Sequence, residues 1–291
     1  KNLVVHPGDI PASSRERSSK TDRVDARKLA RELEKDNLRS IYIPSKEEEG
    51  FRAMIRVRSN IVRMKAKIMV EIKSLLNYMQ DQLPAMIEMP RWSGRFITYL
   101  KQLDVKNNGV RIALDAMLNI LQFHRQQLLE LLKNIRQYIS EREELRHQVV
   151  LLQSIPGIGF ITAVHFIGEL MRMDRFRGFD QVASYIGLIP CAYSSGDREH
   201  ILGISRRHHP VLRNLLIESA WVAVQKDRAL MAVYSRLIGR MKKQMAIIRI
   251  AKKLLSRIRY VLISGKPYQY HLVEERAEKL PLKKMVLKGR K

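Results

Sequence analysis

Two long runs of apolar residues at helical spacing constrain the fold of this chain most strongly. From Lys46 to about Gln80 the run predicts one long amphipathic helix. Its apolar stripe consists of Met54, Val57, Ile61, Met64, Ile68, Ile72, Leu75 and Met79. A second helix is predicted over roughly residues 110–150, with Arg125 as the one polar residue in a stripe of Leu114, Leu118, Leu121, Leu128, Leu132, Ile135 and Ile139.

Two helices of this length predict an antiparallel helical hairpin, or a coiled coil that also joins two chains. Packing of the two stripes within one chain is the simpler alternative, and the spacing alone does not choose between them. A second chain bound through these helices would make the protein at least a homodimer.

The segments on either side of the long helices have a different character. "NLVVHP" predicts the end of a buried strand, and Thr21 is a suitable N-cap for a helix that runs to about Glu34. Beyond residue 150, glycines and prolines separate shorter helical patterns. We therefore predict a mainly α protein in four parts, which are residues 1–45, a coiled-coil region at 46–150, a helical domain at 151–270 and a basic tail at 271–291.

The charge of the chain predicts a polyanionic partner. Lys and Arg number 54 against 29 acids, a formal net charge of +25, and residues 228–273 hold eleven Lys or Arg and no acid. Nucleic acid is the simplest partner of this kind. Arg56 and Arg63, on the basic face of the first long helix, and the segment 228–273 are the predicted contacts. No apolar run approaches the length of a membrane span, and the single Cys191 fits a reducing, cytoplasmic compartment.

The sequence "LLQSIPGIGFITAVHFIGEL" has the form of a helix–hairpin–helix element. Gly157 and Gly159 would let backbone N–H groups approach a phosphate closely, and the following helix would add its dipole. The alternative is an ordinary glycine turn between two packed helices.

A polar segment follows, in which Ser194, Ser195 and Gly196 form a predicted loop. A serine hydroxyl attacks a phosphodiester where cations neutralise the phosphate and a base removes the proton. Candidate cations lie just downstream, at Arg198, Arg206 and Arg207. The alternative is that the two serines belong to a simple turn. His208 and His209 are adjacent and do not have the spacing of metal ligands.

Asp22 and Asp25 form a further candidate site, because acids three residues apart in a helix project to one side. Two close carboxylates repel unless a cation lies between them, and Mg²⁺ prefers oxygen ligands of this kind. The alternative is a pair of exposed first-turn acids that complement the helix dipole and pair with basic neighbours such as Lys28.

These motifs together resemble a known family. "KTDRVDARKLA", a helical insertion, "IPGIG", "YIGLIP", "YSSG" and "GISRR-x-x-x-x-LR-x-LL" occur in this order. The order is similar to that of transposases of the one-hundred-and-ten class of insertion sequences, and more narrowly of its eleven-eleven branch. The resemblance covers nearly the whole chain. It implies a remnant of a RuvC-like α/β nuclease domain at 1–45, a coiled coil, and a transposase domain that contains the helix–hairpin–helix element.

The resemblance also implies roles for individual residues. Ser195 corresponds to the family's catalytic serine, which forms a phosphoserine link to DNA. Asp22 and Asp25 correspond to the last two acids of its Asp-Glu-Asp-Asp metal tetrad, with Mg²⁺ as the ion. The family's partners are DNA and a structured noncoding guide RNA. Because joining DNA ends requires two or more active centres close together, we expect this chain to form a homodimer or tetramer.

This sequence departs from the family pattern in two places. His208 and His209 stand where many members carry Gly-Asn, and the first Asp and the Glu of the tetrad have no counterpart. The chain opens with Lys1, not Met, so we expect an N-terminally truncated chain that binds nucleic acid but neither cuts nor joins it alone. The competing hypothesis is a non-enzymatic nucleic-acid-binding scaffold in which the acids and the serine are structural.

Overall fold

A computed structural model describes residues 2–13, 16, 21–79, 92–195, 198–204 and 208–269, with the backbone alone over 190–204. The chain forms two compact units, Lys1–Glu49 and Gly50–Lys291. The prediction of a mainly α-helical protein is confirmed. Arg206, Arg207 and the predicted tail at 271–291 lie outside the described residues.

The first unit contains a short 3-10 turn at Pro7–Asp9 and helix α1 at Asp22–Glu34. Thr21 caps α1 as predicted, because its hydroxyl accepts a hydrogen bond from the Val24 amide at 3.3 Å. The predicted buried strand at "NLVVHP" is wrong within the described residues. Val5 forms one isolated antiparallel bridge with Ser40, and the side chains of Leu3 and Val4 are exposed. A single bridge cannot bury both faces of a strand.

The long helices are α2, Lys46–Tyr78, and α4, Asn108–Ser140, with the short helix α3, Gly94–Gln102, between them in the chain. One apolar cluster joins Phe51 and Ile55 of α2 to Ile135 and Ile139 of α4. A second cluster joins the other ends, Ile68, Ile72 and Leu76 of α2 with Leu114, Leu118 and Leu121 of α4. Since the beginning of each helix packs on the end of the other, the two helices are antiparallel.

Part of the predicted stripe on α2 is wrong. Val57 and Met64 are 48% and 45% exposed, whereas Phe51 and Ile55 are buried. The buried face of α2 is therefore slightly rotated from the predicted one. Spacing alone could not locate it, because residues at both edges of a broad apolar stripe fit the same helical period.

The second long helix also ends earlier than predicted, at Ser140 instead of near residue 150. Helix α5, Glu143–Gln153, follows after a break at Glu141 and Arg142. The Arg142 guanidinium donates to the Tyr138 carbonyl at 3.1 Å, which satisfies one of the free carbonyls at the end of α4. Neither a glycine nor a proline marks this break, so the residue pattern does not predict it.

The rest of the second unit is a helical core built around α6, Phe160–Leu170, in which every residue from Thr162 to Leu170 is buried. The remaining helices are α7, Phe179–Ile186, α8, Pro210–Lys226, α9, Arg228–Ile238, and α10, Lys243–Ser264. None of the helices in the described ranges is both long and apolar enough to span a bilayer.

A β-hairpin interrupts this helical core between α7 and α8. Strand β1, Pro190–Ser195, pairs antiparallel with β2, Arg198–Ile204, in a register that joins Pro190 to Ile204 and Ser195 to Arg198. The predicted loop at Ser194 and Ser195 is therefore wrong, since both serines belong to β1. Only two residues, Gly and Asp, connect the paired ends, and this is the commonest length of a hairpin connection.

Candidate functional site

Ser195 lies at the last position of β1, opposite Arg198 at the first position of β2. The backbone places the serine at the far end of the hairpin from its base, where β1 and β2 join the helical core. Five strand residues separate Ser195 from that base. The contacts with the helical core described below are made at the base of the hairpin.

The base of the hairpin is closed by a tight approach of two segments. Gly187 ends α7 with a left-handed φ of 85°, and a Cβ there would lie 2.2 Å from the Cβ of His208. Only glycine fits such a position. The His209 amide donates to the Tyr185 carbonyl at 3.2 Å, and Arg213 donates to the Gly187 carbonyl at 3.4 Å. The segments that lead into and out of the hairpin are thus held together.

A buried ion-pair cluster lies directly behind this base. The Glu169 carboxylate, 3% exposed, accepts two hydrogen bonds from Arg56, at 2.8 and 2.9 Å. His209 Nε2 lies 3.3 Å from the same carboxylate, and its ring stacks on Tyr185. His209 Nδ1 accepts from the Leu212 amide at 3.2 Å, so the proton of the neutral ring is on Nε2 and donates to Glu169.

The surroundings of Glu169 keep it ionised. Burial alone would raise the pKa of this carboxyl, but hydrogen bonds from His209 and Arg56 lower it to about 2. A carboxylate that is charged at neutral pH therefore links α2, α6 and the residue before α8. We name Glu169, Arg56, His209 and Tyr185 the anchor cluster.

A buried histidine on α6 has a different role. His165 Nδ1 donates to the Ile161 carbonyl at 2.7 Å, and its Nε2 accepts from the Ser59 hydroxyl at 3.0 Å. Burial lowers the pKa of His165 to about 4, so the ring is neutral at physiological pH. Its hydrogen bonds tie α6 to α2, which makes His165 a structural residue.

The predicted metal ligands belong to the first unit, whereas Ser195 belongs to the second. Asp22 is exposed, and the Asp25 carboxylate pairs with Lys28 at 2.8 Å. The structure therefore contains the ion pair that the simpler interpretation of these acids anticipated. In the described parts of the chain, no group of three or more His, Cys, Asp or Glu side chains is arranged to hold a metal ion.

The two glycines of the predicted phosphate-binding hairpin differ in their surroundings. Gly157 has a φ of 92°, and a Cβ there would lie 2.5 Å from the Ser219 carbonyl of α8. Glycine is thus required at 157 by packing within the protein. Gly159 is the N-cap of α6 and has open space where a Cβ would lie. Helices α5 and α6 flank this turn, and contact of either glycine with a phosphate stays a prediction.

The predicted DNA-binding arginines are spread over several elements. Arg56 belongs to the anchor cluster, yet 56% of its side chain is exposed. Arg63, two turns further along α2, is exposed and bonds to Asn60. Arg198 is the first residue of β2, and Arg206 and Arg207 are outside the described residues. DNA contact by these residues stays a prediction.

Sequence reasoning missed the anchor cluster and a second buried cluster at Asp227. Asp227 caps α9 and accepts from the Tyr268 hydroxyl at 3.2 Å, and it pairs with Arg257. The Tyr268 amide donates to the Ser154 hydroxyl at 2.8 Å, which ties residues after α10 to the turn before α6. One signal was available, because Glu169 is the single acid in the most apolar stretch of the chain.

Comparison with known proteins relates this fold and its hairpin to transposases. Residues 149–235, which include α6, the hairpin and the anchor residues Glu169, Tyr185 and His209, match the family model described as the transposase IS116/IS110/IS902 family. The transposase for insertion sequence element IS1111A of Coxiella burnetii is 27% identical over 205 residues, which are 70% of this chain and 55% of that protein. The putative transposase y4qE of Sinorhizobium fredii is 26% identical over 274 residues, 91% of this chain and 63% of that protein.

A third relative is not described as a transposase. The pilin gene-inverting protein of Moraxella bovis is 31% identical over 146 residues, 48% of this chain and 44% of that protein. The family model, the IS1111A protein and y4qE are all described as transposases, so the chain is similar to transposases and, in the case of the IS1111A protein, to that of an insertion sequence. The chain spans a little over half of the IS1111A protein and less than two thirds of y4qE.

Proposed function

We propose that this chain is the DNA-processing part of an insertion-sequence transposase, which cleaves and rejoins DNA. The observation that carries the proposal is the family match over residues 149–235, because it includes the hairpin that bears Ser195. The excess of basic residues supports a DNA substrate.

Ser195 is the proposed nucleophile. Its hydroxyl attacks a DNA phosphate, a phosphoserine bond forms, one strand is released, and the oxygen of the released strand takes up a proton. A cation must offset the charge that develops on the phosphate. Arg198, the partner of Ser195 in the hairpin register, is the nearest candidate by backbone position.

A Mg²⁺ ion is the proposed cofactor, with Asp22 and Asp25 as two of its ligands. An ion held there would neutralise phosphate charge. Two carboxylates of one helical turn fill only part of an octahedral shell, and Asp25 is paired with Lys28. The described residues therefore do not form a complete Mg²⁺ site, and we derive no step through the ion. For the same reason we propose that residues 1–291 alone bind nucleic acid without cutting or joining it.

A structured guide RNA and a homodimer or tetramer complete the proposal. The charge of +25 is large enough to neutralise phosphates of an RNA as well as of a DNA duplex, which supports a second polyanion. The exposed apolar side chains along α2 and α4, among them Val57, Val70, Ile112 and Phe123, support association of chains.

The second candidate function is a nucleic-acid-binding scaffold without enzymatic activity. The observation that favours it is the Asp25–Lys28 ion pair, which explains one of the two acids without a metal. Under this hypothesis Ser195 has no chemical role, and the function of the chain is to bind nucleic acid through its basic residues.

The two functions are separated by a strand-exchange assay on this chain extended to the length of its relatives. Ser195→Ala should abolish strand exchange and the covalent protein–DNA product, while DNA binding stays unchanged. The matched control is Ser194→Ala on the preceding position of β1, which should remain active. Inactivity of Ser194→Ala with an active Ser195→Ala would move the nucleophile by one residue, and activity of both variants would mean that neither serine is the nucleophile. Absence of strand exchange by the extended, unmodified chain would instead favour the scaffold.

A further inference from the structure

Two neighbouring pockets open on either side of one exposed tyrosine near the end of α10. The larger, about 450 Å³, is lined by Ser256, Arg257 and Tyr260 of α10 and by residues 266–269. The smaller, about 250 Å³, lies between Tyr260, Arg259, Ile263 and Phe179. The Tyr260 ring, 63% exposed, forms a wall of both. A flat aromatic wall that is open to solvent on a basic helix is a surface on which a planar ring stacks.

The walls of the larger pocket are held rigidly. Residues 266–269 are fixed to the core by the hydrogen bonds of Tyr268 to Ser154 and to Asp227. The Arg257 guanidinium lies 4.7 Å from the centre of the Tyr268 ring and pairs with Asp227. A pocket whose sides are fixed before binding loses little entropy when it takes up a ligand.

The charge around the pockets favours a phosphate. No acid occurs between Arg228 and Gln269, and Lys266 is an exposed cation on the rim of the larger pocket. Arg259 lines the smaller pocket, and its buried Nε has no hydrogen-bond partner among the described residues. A buried donor without a partner is costly, so an acceptor that reaches it would be bound favourably.

We propose that Tyr260 and the two pockets beside it bind an unpaired nucleotide, with the base stacked on the Tyr260 ring. Lys266 and Arg259 contact the phosphates on either side of that base. This inference deepens the proposed function and rests on it, because it assigns a place for single-stranded nucleic acid to a chain proposed to process DNA. The ligand is an unpaired nucleotide of DNA or RNA, since both have the same base face and phosphate.

The test measures binding of single-stranded oligonucleotides, DNA and RNA of the same sequence, and of the DNA duplex to the full chain. Tyr260→Ala should weaken single-strand binding about tenfold and leave duplex binding unchanged, whereas Tyr260→Phe keeps the ring and should bind as the unmodified protein does. A 2-aminopurine base in the oligonucleotide should lose fluorescence on binding, and Tyr260→Ala should remove that loss. Stronger retention of RNA than of DNA would identify RNA as the natural ligand, and the reverse would identify DNA.

Tyr78→Ala is the matched control, because it removes a tyrosine that is 86% exposed on α2, away from the pockets. Lys266→Gln should flatten the logarithmic salt dependence of single-strand binding by about 0.7, because the variant neutralises one phosphate fewer. Unchanged single-strand affinity of Tyr260→Ala, or an equal loss in Tyr260→Phe, would overturn the proposal while leaving the transposase proposal intact. Failure of the unmodified chain to bind any nucleic acid would instead overturn the proposed function.

Discussion

Glu169 is an acid whose surroundings differ strongly from water. It is buried on α6, it is ionised, and its partners come from α2 and from the residue before α8. Removing the buried carboxylate leaves the Arg56 guanidinium without its counter-ion and the His209 Nε2 proton without its acceptor, and the loss of one partner of a buried pair is strongly destabilising. The anchor cluster is therefore the most sensitive set of polar residues behind the hairpin.

We expect Glu169→Gln to destabilise the protein by about 3 kcal/mol at neutral pH, since a pKa lowered from 4.5 to about 2 corresponds to that free energy. Because the folded-state pKa is the lower one, the stabilisation is complete above pH 4.5 and is lost as the pH falls towards 2. Urea unfolding at a series of pH values should therefore show the two proteins converging below pH 4.5.

Glu218→Gln, an exposed position on α8, is the control and should change the free energy of unfolding little. His165, whose pKa is lowered mainly by burial, destabilises both proteins as the pH falls from 6.5 to 4, and more strongly in Glu169→Gln, because the charge of Glu169 raises that pKa. A constant difference between Glu169→Gln and the unmodified chain down to pH 2 would contradict the ionised cluster.

Sequence reasoning at this scale identified residues whose environment is local. Thr21 was predictable as an N-cap because its partner is the Val24 amide, three residues away. Glu169 was visible as an isolated acid, but its partner Arg56 lies 113 residues earlier. No spacing rule connects residues at that distance.

At the scale of elements, one close contact between a turn and a helix of the core depends on a glycine. Gly157 brings the turn before α6 against α8, where the Ser219 carbonyl and Ala223 leave no room for a side chain. The glycine pattern "IPGIG" was predictable as a turn. Its close packing on α8 was not, because α8 begins more than fifty residues later.

We expect Gly157→Ala to destabilise the protein by about 3 kcal/mol, from the clash with α8 and from the left-handed φ of this residue. Gly159→Ala, which has open space for its Cβ, should cost less than about 1 kcal/mol. Thermal unfolding of the two variants measures this difference. Equal, small losses would mean that α8 moves away from the turn at little cost.

The long helices show both the strength and the limit of periodicity. The apolar spacing predicted that both helices exist. It left open how they pair, and the two apolar clusters at their ends show that the helices are antiparallel. The end of α4 at Ser140 depends on the Arg142 side chain, and the hairpin at 190–204 depends on pairing between two polar strands. The end of α4 and the position of the hairpin therefore could not be predicted from the hydrophobic pattern.

At the scale of the whole molecule, we expect the net charge of +25 to dominate the proposed binding of nucleic acid. We expect duplex DNA binding to weaken steeply with salt, because each neutralised phosphate contributes a slope of about −0.9 to the logarithmic plot. Filter binding or fluorescence anisotropy between low and moderate salt measures the slope. A variant with several of the exposed cations on α2 replaced, such as Arg63→Gln with Lys67→Gln, should give a shallower slope. An affinity that hardly changes with salt would exclude phosphate contacts as the main source of binding.

We also expect the chain to be at least a dimer. Ile120 and Phe123, one turn apart on α4, are both large, apolar and exposed. Light scattering should give a mass of two chains or more, and Ile120→Glu with Phe123→Glu should lower it. Val150→Glu, at an exposed apolar position on α5, is the control and should leave the mass unchanged. A single-chain mass for the unmodified protein, both free and with nucleic acid, would refute the expectation.

The closed base of the hairpin has a consequence for how such a protein changes over generations. Gly187, His208 and Arg213 join the two segments at the base of the hairpin, so these contacts are made by residues outside the strands. We expect substitutions or added residue pairs at the far end of the strands to alter the neighbourhood of Ser195 without removing these contacts. If the hairpin contacts DNA as we propose, selection can change its DNA partners there while the contacts at its base stay fixed.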